Sequence, residues 1–511
     1  MDLFRSLNYA AQDFLRVRPK GKRGTAASRT SRHHVLFLGD GASLKTLKSS
    51  LSSYLSQWQL AEIADSKKPI LSFDVKMGVV WVLRPRHFES ENETLGHEDR
   101  LKYSLQGRAR DLAGAWLRGN KVEGGIRFEF ASAKDEEVRG ALIGLGLASY
   151  SFLSAVRQEP LRRSWEFFDG AEDSPQPIQP KLLDEATALY QAMNFARHLT
   201  NMPAGEATPA RLCEGMTRFL RGRPNLKIEV WNEQRLRREK MGLLFGVGKS
   251  SRINGPRFVH LRYRPKSREK KPIAFVGKGV TFDSGGLDIK PSSAMRLMKK
   301  DMAGVALVAG LCHFVTTLKL DRPCDFYLPL AENSVSDTAT RPGDVHRARS
   351  GHLVEIDNTD AEGRLVMADA IDVAVTQGKA DQPEVLFDVS TLTGAMRVAL
   401  GLDVAGFFSN NDRWSKKVEN AAQRAGELAW RMPLVQKYKR QLHCSFADFK
   451  NSTDSGFGGA ITAALFLEKF VRNTPWVHFD VMSWNTSGDA AISEGANAQC
   501  LQILANLLVH L

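Results

Sequence analysis

The stretch that organises this 511-residue chain is the octapeptide Asn358-Thr359-Asp360-Ala361-Glu362-Gly363-Arg364-Leu365. Two carboxylates and a guanidinium stand at alternate positions, between an apolar run typical of a strand and one typical of a helix. Successive side chains of an extended segment point to opposite faces, so an extended octapeptide would carry Asp360, Glu362 and Arg364 on one face. We interpret that face as part of a functional site, with two anionic oxygen ligands and one cation.

A second group of charged residues lies upstream, after a predicted buried strand over Ile273–Gly277. It consists of Lys278, Asp283, Lys290 and Asp301, and glycines follow its acids closely. Together with the two acids of the octapeptide, this group offers four carboxylates, enough for two neighbouring divalent cations. A single acid of this kind is most simply a helix cap or a surface group. Four acids accompanied by two lysines and an arginine in glycine-rich turns favour a site instead.

The composition is that of an ordinary globular protein, with 43% hydrophobic and 25% charged residues. The length fits two domains, one of them large. No run of about 18 apolar residues occurs, so we expect no membrane-spanning helix. Five scattered cysteines without a CxxC spacing argue against cysteine-based zinc or redox chemistry. They indicate reduced thiols, and we therefore predict a cytoplasmic protein.

Much of the positive charge lies at the N-terminus. The net charge is +14, and residues 1–34 hold eight Lys or Arg against two Asp, a local charge of +6. We interpret residues 1–34 as a solvated basic arm. Apolar residues at helical spacing beside arginines, with Ser and Thr following, favour an alternative, an organellar transit peptide and a matrix location. Contact with nucleic acid or anionic lipid is a further alternative, although no aromatic platforms accompany the arm.

Strand-like and helix-like runs alternate along most of the chain, which predicts an α/β fold. We expect a smaller N-terminal α/β domain over residues 35–170 and a proline-rich linker over residues 171–182. A large catalytic domain over residues 183–511 should have a mostly parallel central sheet flanked by helices. Sites in such sheets form at the carboxyl ends of strands, and Lys278 follows one such end. Within this domain residues 242–247 are predicted as a strand.

The motifs together resemble the leucyl aminopeptidases of the cytosol aminopeptidase family. The octapeptide matches the family signature in full, and the resemblance covers essentially all of residues 181–485. It continues through residues 276–286, 290–291, 300–302, 341–344, 391–395 and 459–464. The spacing between the Lys278 motif and the octapeptide also agrees with the family.

The resemblance implies a metalloaminopeptidase that removes the N-terminal residue, preferably Leu-like, from peptides. It implies two divalent ions per subunit, Zn²⁺ or Mn²⁺, and a water activated by both. Asp283 and Glu362 would bridge the two metals. Lys278 and Asp301 would complete the tighter site, and Asp360 the more exchangeable one.

The same resemblance assigns the remaining roles. Lys290 would stay protonated and polarise the scissile carbonyl, and Arg364 would hold a bicarbonate ion that accepts a proton from the attacking water. The family also implies a homohexamer of two stacked trimers. Five residues would surround the peptide substrate: Asn358, Met298, Thr391, Leu392 and Gly394. For Met298 plain core packing is an equally good interpretation.

Some positions depart from the common family pattern. Ala303 stands where glycine is usual, residues 334–337 replace the usual turn, and Trp484 and its neighbours differ from the usual glycine-containing ending. None of these changes removes a ligand, so they bear on pocket shape rather than catalysis. Two alternatives to a simple peptidase are a nucleic-acid-binding regulator on the same scaffold and a catalytically silent member. The basic runs at residues 235–240 and 264–271 are interpreted as solvated faces.

Overall fold

The computed structural model describes residues 3–12, 14–15, 31–39, 42, 51–52, 55–75, 78–85, 104–159, 163–169, 176–265 and 270–511. The α-helices are α1 Leu3–Ala10, α2 Gln57–Asp65, α3 Leu105–Gly119, α4 Asp135–Ala148, α5 Phe152–Arg157, α6 Pro180–Asn201, α7 Pro209–Leu220, α8 Glu233–Arg238, α9 Gly242–Gly248, α10 Ser292–Met295, α11 Ala303–Leu318, α12 Glu362–Val375, α13 Gly394–Leu400, α14 Asp412–Ala425, α15 Gly459–Glu468 and α16 Leu501–Val509. Short 3-10 helices cover Met298–Lys300, Lys379–Asp381 and Gln436–Leu442.

The strands form two principal sheets and two small ones. They are β1 Ser31–Leu38, β2 Ile70–Val75, β3 Gly78–Leu83, β4 Gly124–Ala131, β5 Arg163–Asp169, β6 Gln176–Pro177, β7 Leu226–Trp231, β8 Arg257–Tyr263, β9 Ile273–Gly277, β10 Val280–Asp283, β11 Cys324–Asn333, β12 Val345–Arg347, β13 Leu353–Glu355, β14 Val385–Ser390, β15 Ala405–Ser409, β16 Ala429–Arg431, β17 Phe449–Lys450, β18 Trp476–Asp480, β19 Trp484–Asn485 and β20 Gly495–Ala496.

The first sheet has the order β2-β3-β1-β4-β5-β6. Strand β1 runs parallel to β3 and β4, and β4 runs parallel to β5, whereas the edge strands β2 and β6 pair antiparallel. Helices α3 and α4 pack closely together. A Cβ on Gly144 of α4 would lie 1.9 Å from the carbonyl oxygen of Arg110 in α3, so only glycine permits this approach. The N-terminal part of the chain is thus α/β, as predicted.

The second sheet has nine strands, in the order β16-β15-β18-β14-β9-β11-β8-β7, with β10 beside β11. Its centre is parallel, because β14 pairs in parallel with β18 and β9, and β9 with β11. Strand β8 is antiparallel to β11, and β15 is antiparallel to β18. Alternate residues of β9 enter two different cores: Ile273 and Phe275 one, Ala274 and Val276 the other. The predicted mostly parallel central sheet, covered on both faces, is confirmed.

One segment of this domain is long and apolar enough to cross a membrane. It covers Met298–Leu318, and 89% of its apolar window is buried inside the protein. Helix α11, its main part, packs on α6 and on the sheet strands β9 and β11. Its apolar character is therefore explained by burial against the large sheet.

Two local predictions in the second domain are wrong. Residues 242–247 form helix α9 rather than a strand, because the carboxylate of Asp369 accepts hydrogen bonds from the backbone N–H groups of Leu243 and Leu244. These contacts stabilise a helix start that the local sequence does not reveal. The octapeptide is also not extended: it turns at Asp360, and α12 begins at Glu362.

The N-terminal arm and the linker also differ from the expectation where they are described. Helix α1 and the residues after it are packed rather than solvated, since Leu7, Phe14 and Leu15 are buried. Six of the eight basic residues of the arm, at 16–30, lie outside the described residues, and Arg32 belongs to β1. Of the predicted linker, β6 pairs with β5 and α6 already begins at Pro180. Residues 170–175 lie outside the described part of the chain.

Candidate active site

The candidate site lies at the carboxyl ends of the parallel strands of the large sheet. Lys278 directly follows β9, Asp283 ends β10, Thr391 follows β14 and Asp480 ends β18. Helix α12 brings Glu362 to the same edge at its first residue. Parallel strands place their ends on one edge, so residues far apart in sequence meet there.

Three carboxylates converge at this edge. Oxygen atoms of Asp283, Asp301 and Glu362 all lie within 4.8 Å of one another, and all three side chains are buried. Burial and the nearby charge of Asp283 raise the pKa of Glu362 to about 8. Burial and the same neighbour raise the pKa of Asp360 to about 6. The crowded negative charge therefore favours a cation between these groups.

Two lysines lie against the carboxylates. Nζ of Lys278 is 2.7 Å from Oδ2 of Asp301 and 3.1 Å from Oε1 of Glu362. Nζ of Lys290 is 2.8 Å from Oδ2 of Asp283 and also contacts Asp360. Burial lowers the pKa of both lysines, but the surrounding carboxylates outweigh burial and hold both pKa values above their ordinary range.

The donor set fits divalent cations. With all four carboxyl groups ionised and both lysines protonated, the formal charge of the site is −2, which a bound cation would offset. Oxygen ligands of this kind suit hard cations such as Mn²⁺, and Zn²⁺ also accepts carboxylate oxygen. Oε2 of Glu362 is buried and has no hydrogen-bond partner among the described residues, so this oxygen remains available to a metal ion.

The octapeptide is held as a compact turn. The side-chain oxygen of Asn358 accepts a hydrogen bond from the backbone N–H of Asp360 at 2.7 Å. The hydroxyl of Thr359 donates to the carbonyl oxygen of Gly285 at 2.7 Å, which joins the turn to the loop after Asp283. A Cβ on Gly363 would lie 2.2 Å from Cε of Lys278. Glycine at this position is therefore what lets Lys278 reach Glu362.

Arg364 lies beside this turn. It is buried, and burial lowers its pKa to about 10. Its Nη1 donates to the backbone carbonyl of Asn451 at 2.7 Å, while its Nε has no hydrogen-bond partner among the described residues. One face of the guanidinium thus has hydrogen-bonding capacity to spare.

A cavity opens over the carboxylates and contains most of the predicted site residues. Its wall is formed by Lys278, Asp283, Lys290, Pro291, Ser293, Ala294, Leu297, Met298, Lys300, Asp301, Asp360, Glu362, Thr391, Leu392, Thr393, Gly394, Met396, Arg397, Gly401, Val404, Asp480, Val481 and Met482. Two of the predicted site residues, Asn358 and Arg364, do not line the cavity. They lie at the two ends of the octapeptide turn, on either side of Asp360 and Glu362.

Comparison with known proteins identifies the family of this chain. The catalytic domain of the cytosol aminopeptidase family matches residues 194–505. The chain belongs to the cytosol aminopeptidase family. A probable cytosol aminopeptidase of Bdellovibrio bacteriovorus is 42% identical over 367 residues, which are 71% of this chain and 72% of that protein. The cytosol aminopeptidase of Encephalitozoon cuniculi is 37% identical over 388 residues, 75% of this chain and 77% of that one.

Solved structures of similar proteins share the fold over nearly the whole chain. A cytosol aminopeptidase from Coxiella burnetii has a TM-score of 0.77 at 27% identity and covers 98% of this chain and 99% of its own. The bottromycin maturation enzyme BotP in complex with Mn has a TM-score of 0.78 at 28% identity, with coverages of 94% and 99%. The resemblance inferred from the motifs is confirmed, and the chain is a member of a metal-dependent aminopeptidase family.

In this member of the family, several positioning residues were not found from the sequence. Asn451 donates from Nδ2 to the carbonyl of Asn358 at 2.8 Å and accepts at Oδ1 from the N–H of Asp357 at 2.8 Å. Asn333 donates to Oδ1 of Asp283 at 2.8 Å. Both lie on segments remote in sequence from the groups they hold, so no local pattern indicates them. The sequence indicated only the groups that they hold, the octapeptide and Asp283, and not Asn451 and Asn333 themselves.

Asp480 holds the loop after β14 in place. Its carboxylate accepts from the backbone N–H groups of Leu392 at 2.8 Å and Thr393 at 3.2 Å, and from the Thr393 hydroxyl at 2.6 Å. The Thr391 hydroxyl in turn donates to Oδ1 of Asp301 at 2.7 Å. The predicted substrate loop and a predicted metal ligand therefore belong to one hydrogen-bonded unit.

Proposed function

We propose that the chain is a metalloaminopeptidase that hydrolyses the N-terminal residue of peptides with a water activated by two divalent ions, Zn²⁺ or Mn²⁺. The observation that carries the proposal is the convergence of Asp283, Asp301 and Glu362 with two lysines in one cavity. Membership of the cytosol aminopeptidase family supports it. The manganese complex of the related enzyme BotP supports the choice of a divalent ion.

The proposed metal ligands divide into two overlapping sets. Asp283 and Glu362 would bridge both ions, Lys278 and Asp301 would complete one set, and Asp360 would complete the other. Ions bound there would lower the pKa of a water molecule and polarise the scissile carbonyl. Lys278 must lose its proton to become a ligand, and burial beside two dications favours the neutral amine. All five residues of the two sets line the same cavity.

Lys290 is proposed to stay protonated. Its ammonium group contacts Asp283 and Asp360, and both carboxylates stabilise the charged form. A cation held at the edge of the carboxylate cluster can approach the oxygen of a peptide bond and stabilise the negative charge that develops on it.

Arg364 is proposed to hold a bicarbonate ion that accepts the proton of the attacking water. The unpartnered Nε of its buried guanidinium supports an anion at this position. A guanidinium offers five N–H donors in a planar fork that matches the oxygens of such an anion. The side-chain amide of Asn451 donates to the carbonyl of Asn358 and so holds the turn that precedes Arg364.

The substrate is proposed to be a peptide with a free amine and a Leu-like first residue. Binding of the amine at the metal centre would restrict cleavage to the N-terminal bond. Met298, Thr391, Leu392 and Gly394 in the cavity wall would contact the peptide, and Asn358 would position the turn. Apolar side chains in the same wall would discriminate by about 1–3 kcal/mol per methylene.

Hydrolysis of leucine p-nitroanilide tests this function. We expect chromophore release with Mn²⁺ or Zn²⁺, loss of release with a chelator, and loss in Glu362→Ala. Glu468→Ala is the matched control, since Glu468 pairs with Lys439 at 2.8 Å and does not line the cavity. Undiminished activity in Glu362→Ala would refute the assigned site, and elemental analysis of the protein would count the ions per chain.

The alternative of an added nucleic-acid-binding role is supported by the net charge of +14. Against it, Arg235 pairs with Glu229 at 3.2 Å, and the guanidinium of Arg237 lies 3.8 Å from the ring centre of Phe245. A salt-dependent mobility shift with duplex DNA, lost on deletion of residues 1–34, would support this role. No shift at low salt would remove it.

The assembly and location are proposed from the family alone. We infer a homohexamer in the cytoplasm, with an organellar matrix as the alternative location. Light scattering of the purified protein would determine the mass of the assembly, and N-terminal sequencing of the native protein would show whether the first residues are removed.

A further inference from the structure

Lys300 is a buried lysine in the wall of the active-site cavity. It ends the 3-10 helix Met298–Lys300 and is 5% exposed. Among the residues that the structure describes, none forms a hydrogen bond or an ion pair with its ammonium group. Lysines are rarely buried without a partner, because removing an ammonium group from water is costly. Lys300 lines the active-site cavity, so a ligand in the cavity can reach its ammonium group.

The two carboxylates whose charge acts on Lys300, those of Asp301 and Asp480, are already engaged by other donors. Asp301 contacts Lys278 and accepts from the Thr391 hydroxyl, each at 2.7 Å. Asp480 accepts three hydrogen bonds from the loop after β14. Both acids therefore act on Lys300 through long-range electrostatic attraction and not through hydrogen bonds. The N–H donors of Lys300 remain available to a ligand.

A second cation lies in the same wall. Arg397 on α13 lines the cavity, and its charge is close enough to act on Lys300. Its Nη2 lies 4.0 Å from the position that a Cβ on Gly394 would take, so the guanidinium extends over the proposed substrate loop. Two positive groups that face one cavity repel each other, and both attract an anionic group placed inside it.

The neighbouring lysine provides a contrast. Residues of a 3-10 helix follow one another at three per turn, so Lys299 and Lys300 point in different directions. Nζ of Lys299 donates to the carbonyl of Asn201 at 3.0 Å and lies 5.2 Å from the ring centre of Trp484. Lys299 is thus satisfied within the protein, and it does not line the cavity.

We propose that Lys300 and Arg397 bind a carboxylate of the peptide substrate, separate from the bond that is cleaved. This inference rests on the proposed aminopeptidase function and concerns its substrate class. An acidic first residue would replace the proposed Leu-like one, whereas a dipeptide C-terminus is compatible with it. The carboxylate has two sources: an acidic side chain on the first residue, or the free C-terminus of a dipeptide. Arginine and lysine both form strong charge-assisted hydrogen bonds with carboxylate oxygens.

Matched substrate pairs separate the two sources. Glutamyl and glutaminyl p-nitroanilides differ in the side chain, whereas leucylglycine and leucylglycinamide differ in the C-terminus. We expect wild type to prefer the acid in one pair, and Lys300→Met to reduce kcat/KM for that acid about 10- to 100-fold relative to its neutral partner. Lys300→Arg should retain the preference. Lys299→Met is the control and should leave both ratios unchanged.

Calorimetric titration with a chelator present makes the test independent of hydrolysis. The probes are L-glutamate against L-glutamine, and leucylglycine against leucylglycinamide. Tighter binding of the acid that disappears in Lys300→Met supports the proposal. Equal binding of acid and amide in both pairs, or a preference that Lys300→Met keeps, overturns it. A preference for the acid without hydrolysis of any peptide would refute the aminopeptidase function and leave the carboxylate site standing.

Discussion

Two carboxylate groups in the described part of the chain have raised pKa values because of burial, and their neighbours differ. In the active-site cluster, Asp283, Asp301 and Glu362 converge and lie beside the ammonium groups of two lysines. The interdomain cluster consists of Asp111 in α3 and Glu427 after α14, which border one cavity. There Nε of Arg110 contacts Asp111 at 2.8 Å.

The interdomain carboxylates are engaged by fixed donors. The backbone N–H groups of Cys500 and Ile503 donate to Glu427 at 2.6 and 3.3 Å, at the start of α16. A carboxylate at a helix N-terminus satisfies donors that have no partner within the helix. In the active-site cluster, Oε2 of Glu362 has no such partner within the described chain. Convergence with unused oxygen atoms, rather than burial or charge alone, is what favours a metal centre.

The largest effect is expected when the active-site cluster loses one charge. Glu362→Gln should lower kcat/KM on the order of 10³-fold, because a bridging ligand is replaced by a weaker one and charge stabilisation of several kcal/mol depends on it. Steady-state hydrolysis of leucine p-nitroanilide measures this loss. The metal content should fall in parallel.

The same variant should not be less stable than wild type when metal is removed. Burial and repulsion from Asp283 raise the pKa of Glu362 above that of the unfolded chain, so its charged form costs folding free energy as pH rises towards 8. An amide removes that cost. A lower melting temperature of Glu362→Gln than of wild type, in chelator at pH 8, would contradict this prediction. It would mean that the Glu362 carboxylate stabilises the fold.

The next effect concerns the lysine that is proposed not to bind metal. Lys290→Met should lower kcat about 10²- to 10³-fold, because it removes the cation that stabilises developing charge. The number of metal ions per chain should stay at the wild-type value, unlike in Glu362→Gln. Elemental analysis beside kinetics measures both, and loss of metal in Lys290→Met would move this residue to a structural role.

A smaller effect is expected for the amide that holds the octapeptide. Asn451→Ala should lower kcat/KM about 10- to 100-fold, because its side chain holds the backbone of the turn that carries Asp360 and Glu362, and loss of such support for metal ligands changes activity by factors of this size. Asn410→Ala is the control, because Asn410 also bonds backbone groups, at Thr474 and Trp476, outside the active-site cavity. Equal loss of activity in both variants would mean that general destabilisation explains the result.

Positioning residues such as Asn451 could not be predicted from the sequence, whereas the place of the site in the fold could. The edge of the parallel sheet and Lys278 at the end of β9 were predicted correctly, because buried parallel strands have a strong local pattern and sites form at their carboxyl ends. Asn451 was missed because its partners lie more than 90 positions upstream. The strand predicted at residues 242–247 is α9, because Asp369, 126 positions away from Leu243, accepts the first N–H groups of that helix. Long-range hydrogen bonds decided both cases.

The smallest effect is expected in the interdomain cluster and concerns stability alone. Burial raises the pKa of Glu427 to about 7, although the N–H groups of Cys500 and Ile503 and the charge of Arg110 oppose that shift. Its folded pKa thus exceeds the unfolded value of about 4.3. The folded state then binds more protons between these values, and the stability that Glu427 contributes is lost as pH rises from about 4.3 through 7.

Glu427→Gln should therefore flatten the dependence of melting temperature on pH between 5 and 8. An amide cannot titrate, and it keeps one acceptor oxygen for the start of α16, so the cost at pH 5 should be about 1–2 kcal/mol. Activity per folded molecule should remain at the wild-type level, since Glu427 does not line the active-site cavity. Thermal unfolding at several pH values beside kinetics measures both. A pH dependence as steep as that of wild type would assign the titration to another group, and a loss of kcat would mean that the interdomain cluster contributes to catalysis after all.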